Sequence, residues 1–141
     1  MKRVSYLVGM ALVVAVALGL TGSRTLSGQE GLKSDKVLQR TDLKAAPGWE
    51  AILVQREVPA GGESGKHTQA GSEIVYIQTG AVIFEAQGKP AVTVKAGEAF
   101  TTSAGEVHNV KNASKTATVK ALAFYVAKKG TPLEELAVPA K

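Results

Sequence analysis

The sequence predicts a single all-β domain in which antiparallel strands form two packed sheets or a closed barrel. Apolar and polar residues alternate at period two in several short segments, as in strands with one buried face. Turn sequences rich in glycine separate these segments about every 8–12 residues, the spacing of sandwiches and barrels. The 15 glycines among 141 residues agree with a fold that contains many turns. A chain of this length favours one hydrophobic core.

The first 28 residues predict a secretory signal peptide or an N-terminal membrane anchor, and they are set apart from the fold. Lys2 and Arg3 precede an apolar run over residues 6–20, which small and polar residues follow. A short positive region before such a run is typical of a signal peptide. We therefore expect a periplasmic or secreted protein. The alternative is that residues 4–20 remain uncleaved and anchor the chain to the cytoplasmic membrane.

The remaining chain divides into a polar linker or lead-in (29–47), a barrel (48–128) and a C-terminal tail (129–141). Ala45-Ala46-Pro47-Gly48 is a turn sequence that ends the lead-in. Within the barrel, the predicted strands cover residues 52–58, 73–79, 81–85, 91–95, 99–102, 107–110 and 117–126. Outside these strands, a turn of helix is expected at 133–136.

Composition excludes several classes of function. The chain has no cysteine, so disulfides, thiolate metal ligands, a cysteine nucleophile and a lipidated cysteine are excluded. The net charge is +5, but the lysines are scattered and only 5% of residues are aromatic. A nucleic-acid partner is not expected, because binding would need a basic stripe with stacking platforms. Membrane contact is expected only through an uncleaved N-terminal segment.

The residues that could carry chemistry are two histidines, a glutamine and a glutamate. His67 and His108 are the only histidines, and each follows a turn that contains glycine. Gln69 lies two positions after His67, so an extended backbone points both side chains to one face. Glu73 follows a small-residue turn that could bring its carboxylate back to that face. Taken singly, a strand histidine is more often structural, and a glutamate between strands is usually exposed. Together, two imidazoles and a carboxylate suit a transition metal with open coordination positions.

The spacing of these residues resembles the two motifs of the cupin family. Gly61-x5-His67-x-Gln69-x3-Glu73-x6-Gly80 resembles the first motif, G-x5-H-x-H-x3-4-E-x6-G. Gly97-x5-Ser103-x-Gly105-x2-His108-x3-Asn112 resembles the second, G-x5-P-x-G-x2-H-x3-N. The departures are Gln69, where the family has a second histidine, and Ser103, where it has proline. The chain is similar to small, exported, single-domain bacterial cupins of the Cupin_2 type.

The resemblance implies a jelly-roll barrel that holds one divalent transition metal, with Fe, Mn, Ni and Zn as the candidates. His67, Glu73 and His108 match the family's ligand positions directly. Gln69 occupies the remaining ligand position, where its amide oxygen binds the metal or the amide hydrogen-bonds a metal-bound water or substrate. Asn112 is expected to fix a turn rather than to bind the metal.

The expected function is that of a metal-dependent oxygenase, isomerase or lyase acting on a small organic molecule. The alternative is a non-catalytic periplasmic cupin that binds a small ligand with or without metal, and a third is a membrane-tethered structural protein. No general acid or base stands out, because a core or surface role is favoured for Tyr76, Glu85 and Tyr125. A homodimer formed through edge strands is the expected assembly.

Overall fold

A computed structural model of the chain describes residues 35–136, so the predicted signal or anchor lies outside the described residues. Within this range, ten strands form two five-stranded sheets, which confirms the all-β prediction. The strands are β1 (Lys36–Asp42), β2 (Trp49–Val58), β3 (His67–Gln69), β4 (Ser72–Thr79), β5 (Ala81–Ala86), β6 (Val92–Lys95), β7 (Ala99–Thr102), β8 (His108–Asn112), β9 (Val119–Lys128) and β10 (Glu134–Leu136).

The order of strands is β1-β2-β9-β4-β7 in one sheet and β10-β3-β8-β5-β6 in the other. Every pairing between these strands is antiparallel. The core lies between the two sheets, because both contribute to one cluster of buried apolar side chains. Its members are Ile52, Val54, Val58, Val75, Ile77, Val82, Val94, Val110, Val119, Ala121, Ala123 and Tyr125.

Strand β1 was not predicted, because it lies in the polar segment that the sequence indicates as a linker or lead-in. All seven of its residues are exposed, so no alternation marks it in the sequence. The strand pairs with β2 from Lys36 opposite Gln55 to Asp42 opposite Glu50, with an irregularity between Val37 and Gln39. The strand is held by backbone hydrogen bonds, which do not require any pattern of polar and apolar side chains.

The prediction of a helical turn at 133–136 was wrong. Residues Glu134–Leu136 form β10, which pairs with β3 so that Glu134 lies opposite Gln69 and Leu136 opposite His67. Three or four residues are too few to separate a helical from an extended pattern. Pairing with β3 therefore decides the conformation. Within residues 35–136, no helix is long and apolar enough to cross a membrane.

The turns of the two sequence motifs have the backbone that their glycines predict. The motif glycines all have positive φ, namely Gly61 (68°), Gly80 (81°), Gly97 (88°) and Gly105 (74°). At Gly80, between β4 and β5, a Cβ atom would also lie 2.8 Å from Cγ2 of Val119. A side chain at this position would be strained by both backbone and contact.

Asn112 fixes a turn, as the resemblance implies. Its buried side-chain amide donates to the carbonyls of Val58, Pro59 and Ala117 at 2.9, 3.0 and 2.8 Å. Its amide oxygen accepts a hydrogen bond from the backbone N–H of Ser114 at 2.8 Å. The end of β8 is thereby joined to the end of β2 and to the residues that lead into β9.

Two isoleucines of β4 provide a test of which face of this strand is buried. Ile77 is 0% exposed in the core, whereas Ile74 is 50% exposed on the opposite face. We expect Ile77→Ala to lower the free energy of unfolding by about 2–5 kcal/mol, because it leaves a cavity among packed side chains. Ile74→Ala, the matched control, should change it by about 0.5 kcal/mol. Denaturant unfolding measures both values, and equal losses would contradict the register of β4.

Candidate functional site

The two histidines meet inside the barrel. His67 on β3 and His108 on β8 lie directly opposite each other in adjacent strands. Their ring centroids are 4.2 Å apart, and the ring planes are tilted by 57°. Only 1% of His67 and 2% of His108 is exposed. Residues that are far apart in the sequence are therefore brought together by one strand pairing.

Backbone carbonyls determine which nitrogen of each imidazole carries the proton. Nδ1 of His67 lies 2.9 Å from the carbonyl oxygen of Gly65, and Nδ1 of His108 lies 2.9 Å from that of Glu106. A carbonyl oxygen only accepts, so both Nδ1 atoms donate and, in the neutral rings, both Nε2 atoms keep a lone pair. Histidines that bind a metal are oriented by this kind of hydrogen bond from the second nitrogen.

The Nε2 atom of His67 has no hydrogen-bond partner among the described residues, although it is buried. A buried polar atom without a partner costs free energy and calls for an explanation. A metal ion or a ligand donor at Nε2 would satisfy its lone pair. His67 therefore offers a buried lone pair that a metal ion or a hydrogen-bond donor could use.

Burial lowers the pKa of His108. The hydrogen bond to the Glu106 carbonyl and the charges of Glu73 and Glu106 act in the opposite direction, while the neighbouring His67 lowers the pKa further. The net shift is downward from the ordinary value of 6.5. His108 is therefore neutral near pH 7, and the neutral ring is the form that binds a metal.

Gln69 and Glu73 are joined to each other and to a threonine. Gln69 is buried on the same face of β3 as His67, and its Nε2 donates to Oε2 of Glu73 at 2.5 Å. Thr102, on β7 opposite Glu73, donates its hydroxyl to the amide oxygen of Gln69. Because the carboxylate can only accept and the threonine hydroxyl can donate, this network fixes the orientation of the Gln69 amide.

Arg56 also belongs to this network, although no sequence motif indicated it. Arg56 lies on the inward face of β2, between the buried Val54 and Val58, and its side chain is only 5% exposed. Its Nη1 is 3.5 Å from Oε1 of Glu73, and its Nη2 donates to the hydroxyl of Tyr125 at 2.6 Å. Arg56 occupies a position where the alternating pattern of β2 calls for an apolar residue. This departure from the pattern is the sequence signal that could have identified it.

Among the other residues considered from the sequence, only Tyr125 faces the interior, where 1% of it is exposed. Tyr76 is 46% exposed on β4, and Glu85 is half-buried and pairs with Lys111 at 3.0 Å. These positions agree with the core or surface roles expected for the three residues.

The predicted ligands thus fall into two groups. His67 and His108 form one group, while Gln69 and Glu73 belong to a hydrogen-bonded network with Arg56 and Thr102. Over residues 35–136, no three His, Cys, Asp or Glu side chains are grouped so that they could hold a metal ion. Metal binding by His67, Gln69, Glu73 and His108 therefore stays a prediction, and Glu73 would have to change its partners to take part.

Comparison with known proteins matches residues 54–125 to the Cupin_2 family, described as a cupin domain. The DMSP lyase DddQ from Ruegeria pomeroyi DSS-3 is similar in structure, with a TM-score of 0.65 and 19% identity over 85% of this chain. The chain spans 59% of the length of that lyase. No curated protein matches the sequence.

Two further structures are similar over most of their own lengths. A cupin-like protein from Thermotoga maritima MSB8 has a TM-score of 0.59 and 18% identity, over 73% of this chain and 74% of that one. A conserved protein with a double-stranded β-helix domain from Klebsiella pneumoniae subsp. pneumoniae MGH 78578 has a TM-score of 0.59 and 18% identity, over 92% and 98%. At these identities the similarity shows the fold alone.

A double-mutant cycle tests the interaction between Arg56 and Glu73. We expect Arg56→Met to cost about 3–5 kcal/mol of stability, because it leaves the Glu73 carboxylate buried without its cation. Adding Glu73→Gln should restore at least about 1 kcal/mol relative to the sum of the single changes. Denaturant unfolding of the single and double variants measures the coupling.

The control cycle combines Arg56→Met with Glu85→Gln, a carboxylate that pairs with Lys111 instead. These two changes should be additive. Additivity in the Glu73 cycle as well would contradict the proposed charge interaction.

Proposed function

The chain belongs to the cupin domain family, and on this premise we propose that its barrel binds a small organic molecule at a divalent transition metal held by His67 and His108. Glu73 is the third ligand in this proposal. Fe, Mn, Ni and Zn are the candidate metals, because imidazole and carboxylate ligands accept all of them. The fold by itself does not determine the reaction, since one fold carries many chemistries.

The observation that carries the proposal is the buried Nε2 of His67. This atom has a lone pair and no hydrogen-bond partner in the described part of the chain. The ring of His108 lies 4.2 Å away, and its Nδ1 is held in the same way by a backbone carbonyl. Orientation of both rings before any ligand arrives lowers the free-energy cost of assembling the site.

Gln69 acts as a positioning residue in this proposal. Its amide oxygen accepts from Thr102, so its amide N–H groups face Glu73. Hydrogen bonds of this kind orient a carboxylate and tune its strength as a metal ligand. Gln69 therefore donates to Glu73, and the amide oxygen is not required as a fourth donor.

A bound metal would polarise an oxygen atom of the substrate and so supply Lewis-acid chemistry. The residues of the chain exclude water around it, because His67, His108 and Glu73 are each at most 2% exposed. On this basis the activity belongs to a metal-dependent oxygenase, isomerase or lyase. The lyase activity in the name of the Ruegeria protein makes elimination one of the reactions to assay first.

One observation favours the alternative of a non-catalytic binding protein. Glu73 contacts Gln69 and Arg56, so the interior already satisfies its carboxylate without a metal. A cupin with this interior binds a small molecule with or without metal and needs no proton-transfer residue. Ligand binding without turnover by the metal-loaded protein would favour this function. Export to the periplasm or beyond, through residues 1–28, belongs to both versions of the proposal.

Metal content tests the proposal directly. We expect the full chain, purified in mild detergent without a histidine tag, to retain a stoichiometric transition metal by elemental mass spectrometry. His67→Ala and His108→Ala should each lose it, because each removes a nitrogen ligand. Gln69→Ala should weaken metal affinity by about 10–100-fold, the usual effect of removing an orienting hydrogen bond.

Glu73→Gln and Glu85→Gln make a matched pair, since both neutralise a glutamate but only Glu73 lies in the site. Glu73→Gln should lower the metal content and Glu85→Gln should leave it unchanged. A folded parent protein without metal, or metal that survives both histidine changes, would refute the metal site.

A further inference from the structure

We propose that Arg56 binds the carboxylate group of a small organic acid, and that the side chain of Asp35 occupies this position while no ligand is bound. The inference rests on the proposed function, because it names the class of ligand for the same barrel interior. Three observations support it. Arg56 and Asp35 form a forked ion pair, Asp35 lies before an exposed edge strand, and the hydrogen bonds of Arg56 extend to the strand that carries His67.

The contact between Asp35 and Arg56 has the geometry of carboxylate recognition. Nε of Arg56 lies 3.2 and 3.1 Å from the two carboxylate oxygens of Asp35, and Nη2 lies 2.8 Å from one of them. A planar guanidinium presents its N–H groups as a fork that matches the two oxygens of a carboxylate. A carboxylate of any other small acid could bind the same donors.

Asp35 and Arg56 differ in how firmly the fold holds them. Arg56 belongs to the core side of β2, and its side chain is 5% exposed, whereas that of Asp35 is 28% exposed. Asp35 lies immediately before β1, whose residues are all exposed at the edge of the sheet. Asp35 is therefore less enclosed than Arg56, and segments with few buried side chains open at lower free energy.

Arg56 would keep its position after Asp35 left. Nη2 donates to the hydroxyl of Tyr125, and Nη1 faces Glu73. Both of these partners are 1% exposed and belong to central strands of the sheet. The guanidinium is therefore already oriented for a ligand. A buried cation of this kind favours an anionic partner, which gives acids an advantage over neutral molecules of the same shape.

The same network extends from Arg56 to β3, the strand that carries His67. Glu73 accepts from Arg56 at one oxygen and from Gln69 at the other, and Gln69 lies two positions from His67 on the same face of β3. An acid held at Arg56 would thus bind beside the hydrogen-bonded network that includes Glu73 and Gln69. The carboxylate would anchor the molecule at Nε and Nη2 of Arg56, where Asp35 now binds.

Asp35 must lower the affinity for such an acid, because the two carboxylates compete for one guanidinium. If the open form makes up about 10% of the protein, the apparent affinity is reduced about tenfold. Removing the Asp35 carboxylate removes this competition. The affinity gain on removal therefore measures how often the natural chain exposes Arg56.

Acetate is the probe, because it reproduces the side chain of aspartate beyond the Cα atom. We expect Asp35→Ala in the full, metal-free chain to bind acetate about tenfold or more tighter than the wild type by calorimetry. Acetamide, the uncharged isostere, should bind neither protein. Asp42→Ala is the matched control, because Asp42 lies at the other end of β1 and pairs with Lys129 at 2.8 Å. It should leave the acetate affinity at the wild-type value.

Arg56→Lys in the Asp35→Ala background should reduce acetate affinity at least about tenfold, because lysine keeps the charge but lacks the fork. Equal affinities of the wild type and Asp35→Ala, equal binding of acetamide, or no acetate binding by any folded protein would overturn the proposal.

A second measurement needs no variant and covers the case in which Asp35→Ala does not fold. Saturating acetate should accelerate backbone amide exchange in Lys36–Asp42 of the wild type, because displaced Asp35 no longer ties the start of β1 to β2. Acetamide should have no such effect, and unchanged exchange with saturating acetate would overturn the displacement. Both measurements use metal-free protein, so failure of metal binding would leave them interpretable. Metal binding without acetate binding would refute this inference alone.

Discussion

The organisation of the barrel interior depends on a buried positive charge that must be neutralised. Arg56 stands in a row of apolar side chains on β2, and its charge is met by Glu73 and Asp35. Burial of a guanidinium is costly unless anionic partners and hydrogen bonds compensate it. Glu73 in turn needs the amide of Gln69, and Gln69 needs the hydroxyl of Thr102. One cation therefore organises polar side chains from β2, β3, β4 and β7.

This constraint explains why the predicted metal ligands divide into two groups. The histidine rings are oriented by backbone carbonyls, so their orientation does not depend on the charge network. Glu73 does depend on it, because Arg56 and Gln69 attract the carboxylate that a metal would also require. A metal bound at the proposed site would have to compete with Arg56 and Gln69 for this carboxylate. Gln69, which stands where the family has a second histidine, donates to Glu73 and so helps to hold its carboxylate in the internal network.

The fold could be predicted from the sequence where buried and exposed side chains alternate along a strand. The alternating residues of β2, β4 and β9 and the motif glycines indicated the two sheets, and the structure confirms them. Strand β1 could not be read in the same way, because an exposed edge strand needs no apolar face. Strand β10 is three residues long and takes its conformation from pairing with β3.

The candidate site was predictable only in part. Motif spacing selected His67, Gln69, Glu73 and His108, and the structure brings each histidine to the other and Gln69 to Glu73. The motif spacing could not show which side chains Glu73 contacts. Those contacts depend on Arg56 and Thr102, which were not among the residues selected from the motifs. A charged residue at an apolar position of an alternating strand was the overlooked signal.

Both ends of the described chain contact residues or strands of the candidate site, which limits where the chain can be shortened or fused. Asp35 contacts Arg56 from before β1, while β10 pairs with the strand that carries His67 and Gln69. Trimming the chain to the span of the family match would delete the Asp35 contact and one whole neighbour of β3. Fusion partners and affinity tags therefore belong beyond residues 35 and 136, on spacers long enough to leave both terminal strands paired.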